Sequence, residues 1–288
     1  MIRRPPRSTQ GVSSAASDVY KRQLISIGQL FSKTFKALKG HWIQAICIFF
    51  VFNFAIAIVQ AIPAIGGFLS LIISGPLTIG ISVYSLKIIN DNFPKAENVL
   101  DGFKYNLGNG ILAYFILIPV ILIVGFILML VFVFINSIVF GFLISIFYSQ
   151  SYEVFITSMD WEALFAPFKV LTFKSGIIEP VLLILFVIVS FLFSIILPWI
   201  IASIPFAMTF FIMAEDTSID AWDAVQKSWN MMKGYKRKYL ILNILLLLLV
   251  IPIMLFTLFI GLLWFLPFSF IISAVFYQQI KENNKLIN

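Results

Sequence analysis

The side chains that could carry out chemistry are few in this sequence. The densest acidic group comprises Glu215, Asp216, Asp220 and Asp223, and carboxylate oxygens are the ligands that a calcium ion prefers. Asp220 and Asp223 lack the carbonyl-rich loop of a calcium site. Helix capping and a solvated helix face explain the four carboxylates more simply, so we expect no metal site.

Nucleophilic and cofactor chemistry have equally little support. The chain has one histidine, His41, and one cysteine, Cys47, which together cannot form a zinc site or an intramolecular disulfide. His41 has no partner in the sequence for nucleophilic catalysis, and no glycine-rich phosphate loop is present. We therefore expect a protein that is not an enzyme and binds no cofactor.

Two tryptophans are the strongest candidates for a contact with a partner. Trp222 and Trp229 are seven residues apart and lie on one face of a predicted helix. Tryptophan is enriched at binding hot spots, so this face could dock a membrane or cytoplasmic protein. The simpler alternative is that both rings lie in the membrane surface or pack against the spans.

The elements that must position these residues are membrane spans. Apolar residues make up 61% of the 288 residues, charged residues make up 11%, and the mean hydropathy is +1.02. A soluble domain has about 25% charged residues. Unbroken apolar blocks such as 111–135 and 239–266 exceed the roughly 20 residues that cross a bilayer as a helix. The sequence therefore predicts an all-α integral membrane protein in contact with the lipid bilayer.

Residues 1–23 differ from the rest of the chain. They have no helical periodicity and no apolar core, and they resemble translated sequencing-adapter sequence, so we expect a disordered, non-native leader. Five of the 20 basic residues and one of the 13 acidic residues lie there, which leaves a net charge of +3 for residues 24–288. We expect those residues to form a single membrane domain that binds no nucleic acid.

The chain reads as three similar units, each an amphipathic helix, a span and a returning span. The amphipathic segments begin near Ile27, Phe93 and Thr217, and their apolar residues recur every three or four positions. Each returning span contains a proline, at Pro76, Pro205 or Pro267, where we predict a helix kink. The three prolines lie in similar local sequences, which are Ser74-Gly-Pro-Leu, Ser203-Ile-Pro-Phe and Phe265-Leu-Pro-Phe. The sequence thus predicts three hairpin-like repeats and about six spans.

The number of spans depends on two long apolar blocks, 110–147 and 179–214, which could each cross once or twice. Asn136 and Ser137 interrupt the first block, so we expect one span to about Phe134 and then a continuation that leans along or beyond the far interface. Eight spans would place residues 149–175 on the inner side, but that segment has two lysines against three carboxylates, which favours six. With six spans, the basic amphipathic segments and both termini fall on the cytoplasmic side.

One stretch carries a resemblance to a known family. Residues 212–235, together with residues 71–89, Phe103 and the closing segment 261–267, resemble a bacterial family of unknown function, domain-of-unknown-function family nine-seven-five. The chain is also similar to the membrane domain attached to some glycerophosphodiester phosphodiesterases. The resemblance covers residues 24–281. It implies a multi-span protein of the bacterial plasma membrane and supplies neither catalytic residues nor a substrate.

Two functions remain open at this point. The first is a non-enzymatic membrane component that binds a protein partner or organises lipid. The alternative is a transporter or lipid-translocating protein that uses proline-broken helices to line a cavity. A cavity lined by Asn136, Asn243 and serines would favour transport, whereas a closed core would favour the first function.

Overall fold

The computed structural model describes residues 26–90, 94–147 and 178–285, and these residues form helices and turns without a strand. Two short 3-10 turns, Ala96–Leu100 and Ile204–Phe206, interrupt the helices. The helices are α1 Ile27–Leu38, α2 Trp42–Gln60, α3 Gly66–Ile89, α4 Asp101–Tyr105, α5 Leu107–Phe147, α6 Ile178–Ser203, α7 Thr209–Glu215, α8 Ala221–Met231, α9 Lys236–Thr257 and α10 Leu262–Lys285. The predicted leader 1–23 and residues 149–175 lie outside the described residues.

Six helical stretches of the described chain are long and apolar enough to cross a membrane, which confirms a multi-pass helical protein. They lie in α2, α3, α5, the stretch Leu185–Glu215, α9 and α10. The first long block, including Asn136 and Ser137, lies in one continuous helix, α5, of 41 residues. The Ser137 hydroxyl donates to the Val133 carbonyl 2.9 Å away, so this polar residue is satisfied within the helix.

The chain divides into two compact units. One unit comprises Met1–Ile118 and Ile204–Asn288, and the other comprises Pro119–Ser203. Within the second unit α5 and α6 touch at Gly125, where an added Cβ would lie 2.6 Å from the ring of Trp199. Three polar segments, which are α1, the 3-10 turn Ala96–Leu100 with α4, and α8, lie in the first unit. The three prolines of the predicted repeats lie in the same unit.

Two returning helices form the centre of the first unit. In their most apolar stretches, 56% of α3 and 50% of α10 is buried, against 17% of α2 and 11% of α9. Tyr84 of α3, Met213 of α7 and Phe276 of α10 are completely buried. α2 and α9 therefore carry long apolar surfaces with little cover from the described residues, as expected for helices that face lipid.

The contacts of α3 with the following segment are made backbone to backbone. A Cβ added at Gly80 would overlap the carbonyl oxygen of Val99, and one at Gly102 would overlap that of Pro76. A Cβ at Gly75 would likewise overlap the carbonyl oxygen of Gly110. Only glycine allows so close an approach, so these positions hold the 3-10 turn, α4 and the start of α5 against α3.

The glycine contacts predict a stability difference between two substitutions in the same helix. Gly80→Ala should destabilise the protein by about 1–3 kcal/mol, because the opposing atoms belong to backbone that cannot rotate away. Gly67→Ala is the matched control, since an added Cβ there meets nothing within 4 Å. It should be neutral or slightly stabilising. Thermal unfolding in detergent measures both, and equal midpoints would contradict the close approach.

Candidate functional site

The first polar segment, α1, packs against the last span. Its start is fixed by a capping box between Ser26 and Gln29, whose side chains each bond to the other residue's backbone. The rings of Phe31 and Phe35 lie 5.3 and 4.8 Å from that of Phe268 in α10. The fully buried residues of α1 are Leu30, Thr34 and Leu38. α1 therefore packs against α10 at Phe268, the residue that follows Pro267.

The second polar segment is a 3-10 turn followed by α4, and it packs on α3 through Gly102. Just beyond it, Asn106 is buried and its side-chain amide donates to the Met213 carbonyl of α7 at 3.0 Å. Asn109 donates to the Ile219 carbonyl at 3.3 Å. The start of α5 is thus hydrogen-bonded to α7 and to the α7–α8 connection.

The third polar segment, α8, supplies hydrogen-bond partners at a break in the fourth span. α6 ends at Ser203 and α7 begins at Thr209, so the backbone around Pro205 lacks regular helical partners. The buried Ser228 hydroxyl of α8 donates to the Pro205 carbonyl at 3.0 Å and accepts from the Met208 N–H at 3.2 Å. One side chain therefore satisfies two backbone groups at the break.

The three polar segments share a register that the hydrophobic pattern did not reveal. In each, a small residue is followed by an aromatic residue and, five positions after the aromatic, by glycine. The matching stretches are Thr34-Phe35 with Gly40, Gly102-Phe103 with Gly108, and Ser228-Trp229 with Gly234. All three small residues are buried, and Gly102 and Ser228 contact Pro76 and Pro205 respectively. This spacing is visible in the sequence and could have identified the buried face.

The packing of these segments follows a cyclic order. The segment containing α4 packs on α3 of the hairpin before it, and α8 packs on α7 of the hairpin before it. α1 packs on α10, the last helix that the structure describes, and it also touches α3. Each polar segment therefore contacts the returning helix of a different hairpin from its own.

The three predicted kink positions lie in two different environments. α3 and α10 contain Pro76 and Pro267 with helical residues on both sides, whereas Pro205 lies in a 3-10 turn between two helices. The bends at Pro76 and Pro267 stay predictions. All three prolines lie where a polar segment approaches the returning helix.

The two candidate tryptophans lie beside the buried face of α8 and not on it. Trp222 is 56% exposed and Trp229 is 42% exposed. The Trp229 ring lies 5.7 Å from that of Phe206, and the Lys236 ammonium lies 4.1 Å from its centroid. The buried residues of α8 and its C-cap are Ala221, Ala224, Val225, Ser228 and Met232. A role for Trp222 and Trp229 in docking a partner stays a prediction.

Charged residues cross-link the polar ends of the returning helices. The Glu215 carboxylate after α7 accepts from the Tyr277 hydroxyl at 2.8 Å and forms an ion pair with Lys281, both in α10. The Phe211 ring stacks on that of Tyr277. Lys87 and Asp101 lie 4.0 Å apart and join α3 to α4. This end of the unit is held by polar contacts, in contrast to its apolar spans.

The other acidic residues have local roles. α8 begins at Ala221, so neither Asp216 nor Thr217 caps it, and its N-cap Asp220 makes no side-chain cap bond. Asp216 instead accepts from the backbone N–H of Ser218 at 3.1 Å and from its hydroxyl at 2.6 Å. Among the described residues, no cluster of three His, Cys, Asp or Glu side chains could hold a metal ion.

The polar residues within the spans mostly bond to their own helix. The amides of Asn53 and Asn243 donate to the carbonyls of Phe49 and Tyr239, at 2.7 and 2.8 Å. Asparagines inside a helical bundle more often bond to a neighbouring helix. The Asn243 amide is thus bonded within α9.

These helices and their satisfied polar contacts define the class of the molecule, a multi-pass α-helical membrane protein. The chain belongs to the family described as protein of unknown function DUF975, whose model matches residues 30–284. This match confirms the resemblance seen in the sequence. The similarity to the membrane domain of glycerophosphodiester phosphodiesterases stays a prediction. No curated protein and no solved structure matches the chain.

The two hydrogen bonds of Ser228 predict that its substitution lowers the protection of nearby backbone amides against hydrogen exchange. Ser228→Ala should leave two buried backbone groups without partners and cost about 1–3 kcal/mol. Hydrogen exchange of the backbone amides from Met208 to Ile212 should become faster. Ser82→Ala is the control, because that buried hydroxyl donates only to the Thr78 carbonyl of its own helix. Similar exchange in both variants would contradict the repair of the break by α8.

The Asp216 turn predicts a pH effect outside the spans. The Ser218 hydroxyl and N–H bonds hold the pKa of Asp216 below its ordinary value. The turn's contribution to stability is therefore present above the unfolded pKa of about 3.9. It is lost as the pH falls through the lower folded value. Carboxyl carbon NMR should show the pKa rising in Ser218→Ala, and an unchanged pKa would exclude the hydroxyl as a cause.

Proposed function

We propose that this protein is a non-enzymatic component of the bacterial plasma membrane that organises lipid at the cytoplasmic face, where both termini also lie. The observation that carries the proposal is the way the polar segments are packed. Each buries a small or apolar side against a returning helix and leaves large apolar side chains uncovered. These exposed side chains are Phe35, Leu100, Tyr105, Leu107, Trp222 and Trp229.

The position of these side chains along the chain supports a membrane-interface role. Trp229 is seven residues before Lys236, the first residue of the spanning helix α9, and Phe35 is seven residues before Trp42, the first residue of α2. Aromatic residues at the ends of spans lie at the level of the lipid headgroups. Burying half of one such ring in the interface contributes on the order of 2 kcal/mol.

The charges of the same segments support the cytoplasmic orientation. α1 and the residue after it carry Lys33, Lys36 and Lys39, and the α8–α9 connection carries Lys233, Lys236 and Arg237. Basic residues next to spans are retained on the cytoplasmic side, where anionic lipids attract them. The basic residues and the exposed rings would then meet the same lipid layer.

The cyclic packing supports three repeated units, each with one surface helix or turn. The shared small-aromatic-glycine register gives each repeat the same buried position and an aromatic neighbour, which is exposed in Phe35 and Trp229 and partly exposed in Phe103. An interfacial side chain would therefore recur three times in one chain. Repetition of this kind suits a protein whose ligand is a lipid layer, since such a ligand offers many equal contacts.

A protein partner on the Trp222 and Trp229 flank is the second candidate, because both rings keep much of their surface exposed. The transport alternative has weaker support. The glycine contacts of α3 at Gly75 and Gly80 bring backbones together where a cavity would need space. We therefore place the lipid role first.

The lipid role predicts the depth of the two tryptophans. In a variant that keeps only Trp222 and Trp229, with the other four tryptophans changed to phenylalanine, fluorescence should be quenched by lipid brominated near the headgroup. Lipid brominated near the chain end should quench less. A Phe126→Trp variant without other tryptophans is the control, since Phe126 is exposed in the middle of α5 and should be quenched most by the deep bromines. Weak quenching of Trp222 and Trp229 by both lipids would exclude interface burial and favour a protein partner.

A further inference from the structure

Trp229 and Lys236 form a contact across the connection between α8 and α9. The Lys236 ammonium lies 4.1 Å from the centroid of the Trp229 ring, although Lys236 opens a spanning helix. Gly234 between them has a φ of +86°, a conformation that favours glycine, and it turns the chain back toward α8. The turn therefore places a cation directly over an exposed aromatic ring.

The first hairpin has the same geometry without the charge. Phe35 and Trp42 occupy the corresponding positions, their ring centroids are 6.1 Å apart, and Gly40 between them has a φ of +91°. At Gly40 the turn brings two aromatic rings together, whereas at Gly234 the turn places a lysine over an aromatic ring. Because packing does not require the charge, the lysine at position 236 points to an anionic ligand.

The surroundings of Lys236 are strongly basic. The sequence contains no acidic residue between Asp223 and Glu282, and the twelve positions 227–238 contain five basic residues. In the part of the chain that the structure describes, neither Lys233, Lys236 nor Arg237 forms an ion pair with a carboxylate. Lys233 and Arg237 are exposed, and Lys236 is partly exposed. Positive charge is therefore available beside the Trp229 ring.

We propose that Lys233, Lys236 and Arg237, with Trp229 as an apolar floor, bind the phosphate headgroup of an anionic phospholipid. The inference rests on the proposed function and gives that surface a defined ligand. Ammonium and guanidinium groups supply charge-assisted hydrogen bonds to phosphate oxygens. A lipid is favoured over free phosphate because the exposed face of Trp229 needs an apolar cover, which the glycerol and upper acyl chain supply.

The test uses the full chain in nanodiscs that contain phosphatidylglycerol and phosphatidylcholine in equal amounts, with retained lipid counted by native mass spectrometry. Lys236→Gln should lower the preference for phosphatidylglycerol about fivefold, the effect of one lysine at an anionic surface. Lys36→Gln removes one charge from α1, which the proposed function also places at the lipid surface, and it should lower the preference by a clearly smaller factor than Lys236→Gln does. Trp42→Phe controls for an altered aromatic contact in the matching turn of the first hairpin.

The outcomes separate the site from the general role. Equal losses in Lys236→Gln and Lys36→Gln, or no loss in either, would overturn the site. Competition by millimolar inorganic phosphate would overturn the assignment to a lipid. Shallow bromine quenching of Trp222 and Trp229 in the Lys236→Gln variant reports the proposed function independently. If the shallow quenching persists and the preference for phosphatidylglycerol does not change, only the headgroup site is rejected. If the shallow quenching is absent, the lipid role itself is rejected.

Discussion

Close approach between a polar segment and a proline-bearing helix is the contact on which the rest of the first unit depends. Proline cannot donate a backbone hydrogen bond and crowds the preceding turn, so a span that contains it is locally incomplete. At Pro205 the Ser228 hydroxyl supplies the missing partners, and at Pro76 the absence of a side chain on Gly102 lets the backbones touch. The small residue decides which side of each polar segment is buried, and therefore which side remains exposed.

The sequence predicted the membrane spans better than it predicted which face of each polar segment is buried. The six apolar helices and the family follow from hydropathy and a local resemblance, because a run of about 20 apolar residues has few alternatives. The buried face of α8 did not follow, since the apolar pattern included Trp229 and omitted Ser228. In water an apolar residue marks the core, but beside lipid it can be equally stable outside. Small size is then the better marker, and a hydrophobic periodicity does not report it.

Polar residues in this protein fall into two groups with different consequences. Those within the spans, such as Ser137 and Asn243, bond to a carbonyl of their own helix and leave it uninterrupted. Those at the polar end, such as Glu215 and Tyr277, join different helices. Sequence alone does not separate the groups, because the choice depends on which carbonyls a neighbouring helix brings within reach.

The packing of α1 on α10 has a consequence for the order of synthesis. α1 is made before the other described helices, yet the helix that covers most of its buried face is the last of the described chain to be made. Until α10 is present, Leu30 and Leu38 therefore lack the cover that α10 supplies. A chain that stops before α10 lacks the surface for α1. The described fold is thus complete only once its last helix has been added.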